Sequence, residues 1–357
     1  MRTPWILVVL TFSAAYGQEA DSGFELRTTL SAESFYTHQL SDWPRDAGPL
    51  SAGFRAMFYP TWKLDSHWSV NGAIQVHSRP YFAEEFDTQG YGASGEILQL
   101  NLSYTRYWGS RSLVFRIGDL SSAFGYFLSR YDSAVNPLIG IPSAYGYYYK
   151  NVTFLGLTGA ELDATSGKWD FRGQFVNSSP ANRRSIFDRD QYGNWAGGFG
   201  YTIRGLRVGA SAYHGPYLSR NYAYYFPGEA PPRNLPATAI GLDAEWGAGP
   251  WNIWGELQRF QNDYHVMPTY VRHTGYIEIR RVLNPRWYTA GRFDYSQANS
   301  YRGTGVYEFA AGFRPAANQL VKLSYSIQRG PEYPGTLGNT AAIEFVFSFR
   351  PISITKN

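Results

Sequence analysis

The sequence predicts an all-β protein, a transmembrane antiparallel up-and-down β-barrel of about 16 strands. Three observations predict it. Apolar and polar residues alternate with period two, short and long connections alternate along the chain, and tryptophans gather at the short ones.

Residues 1–17 read as a cleaved secretory signal. Arg2 supplies the positive start, Trp5 to Phe12 an apolar core, and Ala15-Tyr16-Gly17 a small-x-small cleavage site. That core falls short of the roughly 20 residues a helix needs to cross a bilayer. The remainder, 18–357, shows no linker or low-complexity tract and reads as a single barrel domain. The chain has no cysteine, so neither a lipid-attached N-terminus nor a disulfide framework is open to it.

Within 54–64, Phe54, Ala56, Phe58, Pro60, Trp62 and Leu64 share one face, and Arg55, Met57, Tyr59, Thr61 and Lys63 the other. Within 97–105, Leu98, Leu100, Leu102 and Tyr104 oppose Gln99, Asn101, Ser103 and Thr105. Val321, Leu323, Tyr325 and Ile327 likewise oppose Lys322, Ser324, Ser326 and Gln328. Near the C-terminus, Ile343, Phe345, Phe347 and Phe349 oppose Glu344, Val346, Ser348 and Arg350. One apolar and one polar face at this period is the mark of a strand. It also reconciles a mean hydropathy of −0.35 with an 18% aromatic content, since only one face of each strand meets lipid. After Phe349 either the last strand continues through Ile352 and Ile354 or a polar tail follows.

Short turns are expected at Leu64–His67, Gly109–Arg111, Ser166–Lys168, Arg204–Gly205, Gly247–Pro250, Leu283–Arg286 and Pro315–Asn318. Long polar segments such as 37–50, 80–95, 178–194 and 215–236 lie between them. Each short turn joins two strands, and the first and last strands complete the count of about 16. An even count places both termini at the periplasmic end. Trp62, Trp68, Trp108, Trp169, Trp246, Trp251 and Trp287 all lie within a few residues of a short turn. Indole rings prefer the membrane–water boundary, so these residues would form an interfacial girdle, with Trp195 in a second girdle beside a long loop.

Charge excludes one class of partner. Removing Arg2 takes 32 basic residues to 31, against 28 acidic, a net of +3 with no concentrated basic patch. Nucleic acid is therefore not an expected ligand.

The longest connection runs from about Asp119 to Asn151. A connection of this length is functional or disordered, and Phe124, Tyr126, Phe127, Tyr131, Tyr145, Tyr147, Tyr148 and Tyr149 give it ample surface to pack. A barrel of this size encloses a lumen wide enough to receive it. This organisation resembles the bacterial porins, whose 16-stranded barrels fold their third outer loop inward; with 37–50 first and 80–95 second, 119–151 is third. The stretch Arg116-Ile117-Gly118-Asp119-Leu120-Ser121-Ser122-Ala123-Phe124-Gly125 is similar to the strand-to-loop passage of the phosphate- and polyphosphate-selective porin family. In that family a Pro-Phe-Gly follows the strand end; here Ala123 stands in place of the proline, and the lysine-rich inward loops of a phosphate channel are missing.

The resemblance implies a water-filled pore in the outer membrane of a Gram-negative bacterium, passing small hydrophilic solutes or ions. It implies contact with outer-membrane lipid and the barrel-assembly machinery, and leaves the oligomeric state open, with a homotrimer among the choices. Diffusion needs no catalytic residue, metal or cofactor; it needs a polar lumen with fixed charge at its narrowest point. Strand parity turns Arg27, Arg55, Lys63, Arg116 and Arg172 inward. Arg55 and Arg116 are the expected constriction wall, facing Asp119, Arg130 and Asp132 on the loop. The lumen charge is mixed, which implies weak selectivity; a channel specific for sugars or anions is the alternative. An outer-membrane enzyme fits less well. His77 and Ser78 fall on opposite faces of one strand, no Gly-x-Ser-x-Gly occurs, and the six histidines lack zinc spacing.

Overall fold

The computed structural model describes residues 22–37, 49–78, 92–145, 156–177, 192–217, 227–299, 302–330 and 338–355. The signal segment 1–17 and Tyr147, Tyr148 and Tyr149 lie outside them.

Alternating segments become strands because only a closed ladder satisfies every backbone amide and carbonyl in a membrane. In chain order these are β1 (Gly23–Thr37), β2 (Leu50–Lys63), β3 (Trp68–Ser78), β4 (Ala93–Trp108), β5 (Arg111–Leu120) and β6 (Leu157–Ser166). They continue as β7 (Trp169–Asn177), β8 (Gly193–Ile203), β9 (Leu206–Pro216), β10 (Pro236–Ala248), β11 (Trp251–Asn262) and β12 (Tyr270–Asn284). The last are β13 (Trp287–Ala298), β14 (Thr304–Phe313), β15 (Gln319–Arg329), β16 (Thr340–Ser348) and β17 (Ile352–Thr355). From β1 to β16 each pairs antiparallel with its chain neighbours. β1 closes the ring by pairing with β2 on one side and with β16 and β17 on the other.

β16 and β17 are one stave with a break. Thr29–Thr37 pairs with Ser348–Thr340, and Gly23–Leu26 with Thr355–Ile352. Pro351 sits in the gap, and proline has no amide to give the ladder. The barrel therefore has 16 staves, and the chain continues past Phe349 as strand.

All seven short connections fall where the sequence places them, at one end of the barrel, and the first and last described residues, Ser22 and Thr355, lie there too. In the β2–β3 turn the Asp65 carboxylate accepts the His67 and Trp68 amides at 2.7 and 2.8 Å. In the β12–β13 turn Asn284 accepts the Arg286 and Trp287 amides in the same way.

Side-chain direction follows parity. Leu30, Phe54, Phe115, Leu257, Phe309 and Phe345 stand exposed on the outer surface, whereas Glu33, Glu278, Lys322 and Glu344 are buried inside. An apolar outside around a charged inside suits a wall between lipid and an aqueous lumen. One expectation fails. Leu98 does not share a face with Leu100: Ala73 pairs with Gln99 and Ile74 with Ile97, so Leu98 sits in a bulge. The extra residue rotates the strand, turning Leu98 inward to 2% exposure while Leu100 stays outside at 48%.

Six of the seven predicted girdle tryptophans (Trp62, Trp68, Trp108, Trp169, Trp251 and Trp287) are exposed at the short-turn end, and Trp246 there is half-buried. Aromatic neighbours extend the belt: Trp68 meets Tyr104 at 5.0 Å, Trp169 meets Tyr201 at 4.7 Å and Trp287 meets Phe313 at 4.5 Å between ring centroids.

Candidate functional site

The described part of the third long connection, residues 121–145, lies inside the barrel and touches inward-facing side chains of the wall almost all the way round. It starts from Leu120 at the end of β5. Gln174 on β7 catches it at once, donating to the Ser121 carbonyl at 2.6 Å and accepting from the Ala123 amide. Phe124, wholly buried, then packs among Tyr213, Ala239 and Phe260 of β9, β10 and β11. Gly125 follows at φ +77°, beside the Tyr145 hydroxyl, where a Cβ would collide. Only glycine suits both demands.

The middle of the segment is held by carboxylates on the wall. Tyr145 donates its hydroxyl to Glu256 on β11, and that oxygen accepts the Tyr126 and Phe127 amides. Phe127 and Tyr145 pack with Trp254 and Tyr276. Arg130 lies within this cluster, paired to Glu278 on β12, bonded to the Tyr276 hydroxyl at 3.1 Å and stacked 4.4 Å from Trp254. One residue later the chain reaches the far side. Tyr131 donates to Gln75 on β3 at 3.1 Å, and Arg55 on β2 lies 4.8 Å over the Tyr131 ring and donates to Ser133 at 2.6 Å. Tyr59 donates to Asp132 at 2.6 Å. β12 and β3 stand seven staves apart one way round the ring and nine the other. Consecutive side chains of the loop thus brace nearly opposite walls.

From Ser133 the chain returns across β13 to β16. Leu138, wholly buried, fits between Tyr288, Ala290, Ala310, Leu320 and Val346. Glu308 accepts the Ile139 and Gly140 amides at 3.2 and 3.0 Å, Lys322 donates to the Leu138 carbonyl, and Asp294 accepts the Ser143 amide. Behind these bonds Arg292 sits 2% exposed among Asp294, Glu308 and Glu278. Buried charge is tolerated only when so paired.

Among the described residues a cavity of about 440 Å³ opens against β1 to β7, bounded by the loop on its other side. Arg27, Arg116 and Arg172 face it, as do Asp132, Glu161 and Asp163, so its charges balance. Arg116 is bound to both Glu161 and Asp163, and Arg172 to Asp163 at 2.9 Å. Tyr126 and Tyr131 border the cavity, but Arg207 lies 4.3 Å over the first ring and Arg55 over the second, which occupies one face of each. In the turn outside the membrane wall, the amides of His67 and then Trp68 hold the Asp65 carboxyl below its ordinary value.

The site residues read from the sequence therefore divide. Arg27, Arg116, Arg172 and Asp132 come together around the cavity. Arg55 and Arg130, 4% and 6% exposed, are enclosed by loop contacts and anchor it. Asp119 belongs to β5 rather than to the loop and accepts from Thr158 at 2.6 Å. Lys63 stands exposed at the end of β2, beside the short turn and away from the loop. Sequence reasoning passed over the wall acids Glu256, Glu278 and Glu308 as anchors; inward parity was their only signal, and parity does not say which acid meets a loop.

No family model matches the chain, and no curated protein matches it. Solved structures do. OmpT of Vibrio cholerae in its trimer form superposes with a TM-score of 0.61 at 10% identity, covering 92% of this chain and 100% of that one. OmpF of Salmonella typhi, in complex with daunomycin, gives 0.61 at 11% identity over 91% and 97%. An anion-selective porin from Comamonas acidovorans gives 0.61 at 10% identity over 93% and 100%. At such identities the likeness is one of fold: the chain has a porin-like, 16-stranded barrel.

Proposed function

We propose that this protein is an outer-membrane channel of a Gram-negative bacterium, exported by a signal in residues 1–17, through which small hydrophilic solutes and ions diffuse with weak charge selectivity. One observation carries the reading: residues 121–145 cross the lumen and leave a cavity, lined by three arginines and three carboxylates, between themselves and β1 to β7. A closed barrel with a lipid-suited exterior and a charged interior serves passage better than catalysis. His77 is buried inside, while Ser78 engages the Phe54 amide at 2.9 Å, so the pair forms no nucleophile and base. The exposed tryptophans would sit at the membrane boundary, and outer-membrane lipid and the assembly machinery are the implied partners. A homotrimer is the assembly suggested by the trimeric Vibrio cholerae protein.

Deleting residues 122–145 tests the reading. The ladder of a closed barrel does not depend on its loops, so the variant should fold and its single-channel conductance should rise. A folded deletion variant with unchanged conductance would place the permeation path elsewhere. Liposome swelling with sugars of graded size should show a size cut-off and no preference among isomers; a preference would favour a substrate-specific channel.

A further inference from the structure

Most cations of the lumen described above are matched to carboxylates: Arg116 and Arg172 to Asp163, Arg207 to Asp170 and Asp243, Arg292 to Asp294 and Glu308, Lys322 to Glu344. Two arginines on the β12–β14 side break the pattern. Arg280 lies on the inward face of β12, near its short-turn end, and Arg314 follows the last residue of β14. Among the described residues neither has a carboxylate within 4.0 Å. Each is only part-buried, so water reaches both, yet the Arg280 Nε is buried without an acceptor. Arg314 stands two residues past Gly312 on the same face, its amide still bonded to the Arg286 carbonyl of the next stave, and Gly312 is the residue under the Tyr288 ring, so both arginines belong to one part of the wall.

Tyr288 on β13 holds Arg280 in place. The Arg280 guanidinium stands 5.0 Å over its ring. That ring lies on Gly312, whose missing side chain is what admits it, and its hydroxyl donates to the Pro137 carbonyl at 3.0 Å. The nearest acids are already engaged: Glu278 with Arg130 and Arg292, Glu344 with Lys322. Like charges gathered on one part of the wall repel unless a counter-charge joins them.

We propose that Arg280 and Arg314 form a binding site for a small oxyanion, sulfate, phosphate or the carboxylate of a passing solute, at the short-turn mouth of the lumen. Planar guanidinium donors match the paired oxygens of such anions. The site goes beyond the channel reading and stands without it, because binding is measured directly.

The test uses the folded full-length barrel in a non-ionic detergent. Titration calorimetry with sodium phosphate should show one saturable site in the wild type, weakened at least tenfold in both Arg280→Gln and Arg314→Gln. Arg281→Gln, on the outward face beside Trp251, should bind as the wild type does. Thermal unfolding in sulfate against chloride at matched ionic strength gives a second reading. Sulfate stabilises proteins in general, so the expected result is a larger rise in Tm for the wild type and Arg281→Gln than for the other two. No saturable heat in the wild type overturns the proposal, as does an equal rise in all four proteins. Should one inner variant fail to fold, the other decides.

Discussion

Leu98 and Leu100 stand two residues apart on β4 and meet opposite surroundings, because a bulge lies between them. Leu100→Arg would carry a charge into the lipid, at a cost of about 2–4 kcal/mol near the midplane. The folded fraction in heat-modifiability gels should fall sharply. Leu98→Arg should insert far better, since its side chain enters the lumen beside Met57 and Ala73. Equal loss in both variants would remove the bulge from the account. Asp65 gives a pH signature at the same scale. Backbone bonds from His67 and Trp68 lower its folded pKa below the unfolded one. Its contribution is therefore present at neutral pH and is lost as pH falls through the folded value, from about pH 4 downward. Asp65→Ala should lower Tm at pH 7, with the gap from wild type closing at acid pH; a gap of constant size would show that the carboxylate's charge is idle.

The inward segment 121–145 is an element held by polar bonds as much as by burial. Arg292 pairs with three carboxylates, two of which, Asp294 and Glu308, hold loop amides. Removing one partner of a buried pair costs about 3–5 kcal/mol, because the other charge remains buried. Arg292→Ala should thus loosen the loop while the ladder persists, seen as faster cleavage within 121–145 by added protease and noisier, larger channel currents. Leu138→Ala acts on the same element through packing, with a cavity cost of about 2–5 kcal/mol, and should give the same direction of change. Protease resistance equal to wild type in both variants would show that the loop is held elsewhere.

For the whole molecule, charge balance around the cavity decides selectivity. Three arginines face three carboxylates there, and two of the arginines are bonded to acids on the same wall. A confined aqueous path magnifies each fixed charge, but opposed charges cancel. The reversal potential in a salt gradient should therefore lie close to zero in the wild type and move toward cation preference in Arg27→Ala with Arg172→Ala. A reversal potential that does not move at low salt would make those arginines bystanders. Closure of the barrel depends on the stave broken at Pro351. Ending the chain at Phe349 would leave Gly23–Leu26 paired on one side only, and should slow folding into micelles without changing the conductance of the barrels that form.

Local chemistry determined much of this on its own. Period two, turn residues and the girdle tryptophans are set within a few residues of chain, so stave number, the seven short turns and the facing of most side chains were legible. Parity placed Arg27, Arg116 and Arg172 inward, but it could not tell an arginine that faces water from one, such as Arg130, that is enclosed. The bulge at Leu98 was hidden because one extra residue leaves the apolar pattern looking regular. The path of the loop was hidden for a deeper reason. Arg130 meets Glu278 across 148 positions of sequence, and Glu308 meets Ile139 across 169. Which acid anchors which amide depends on the closure of the ring, and ring closure brings together residues that no local pattern relates.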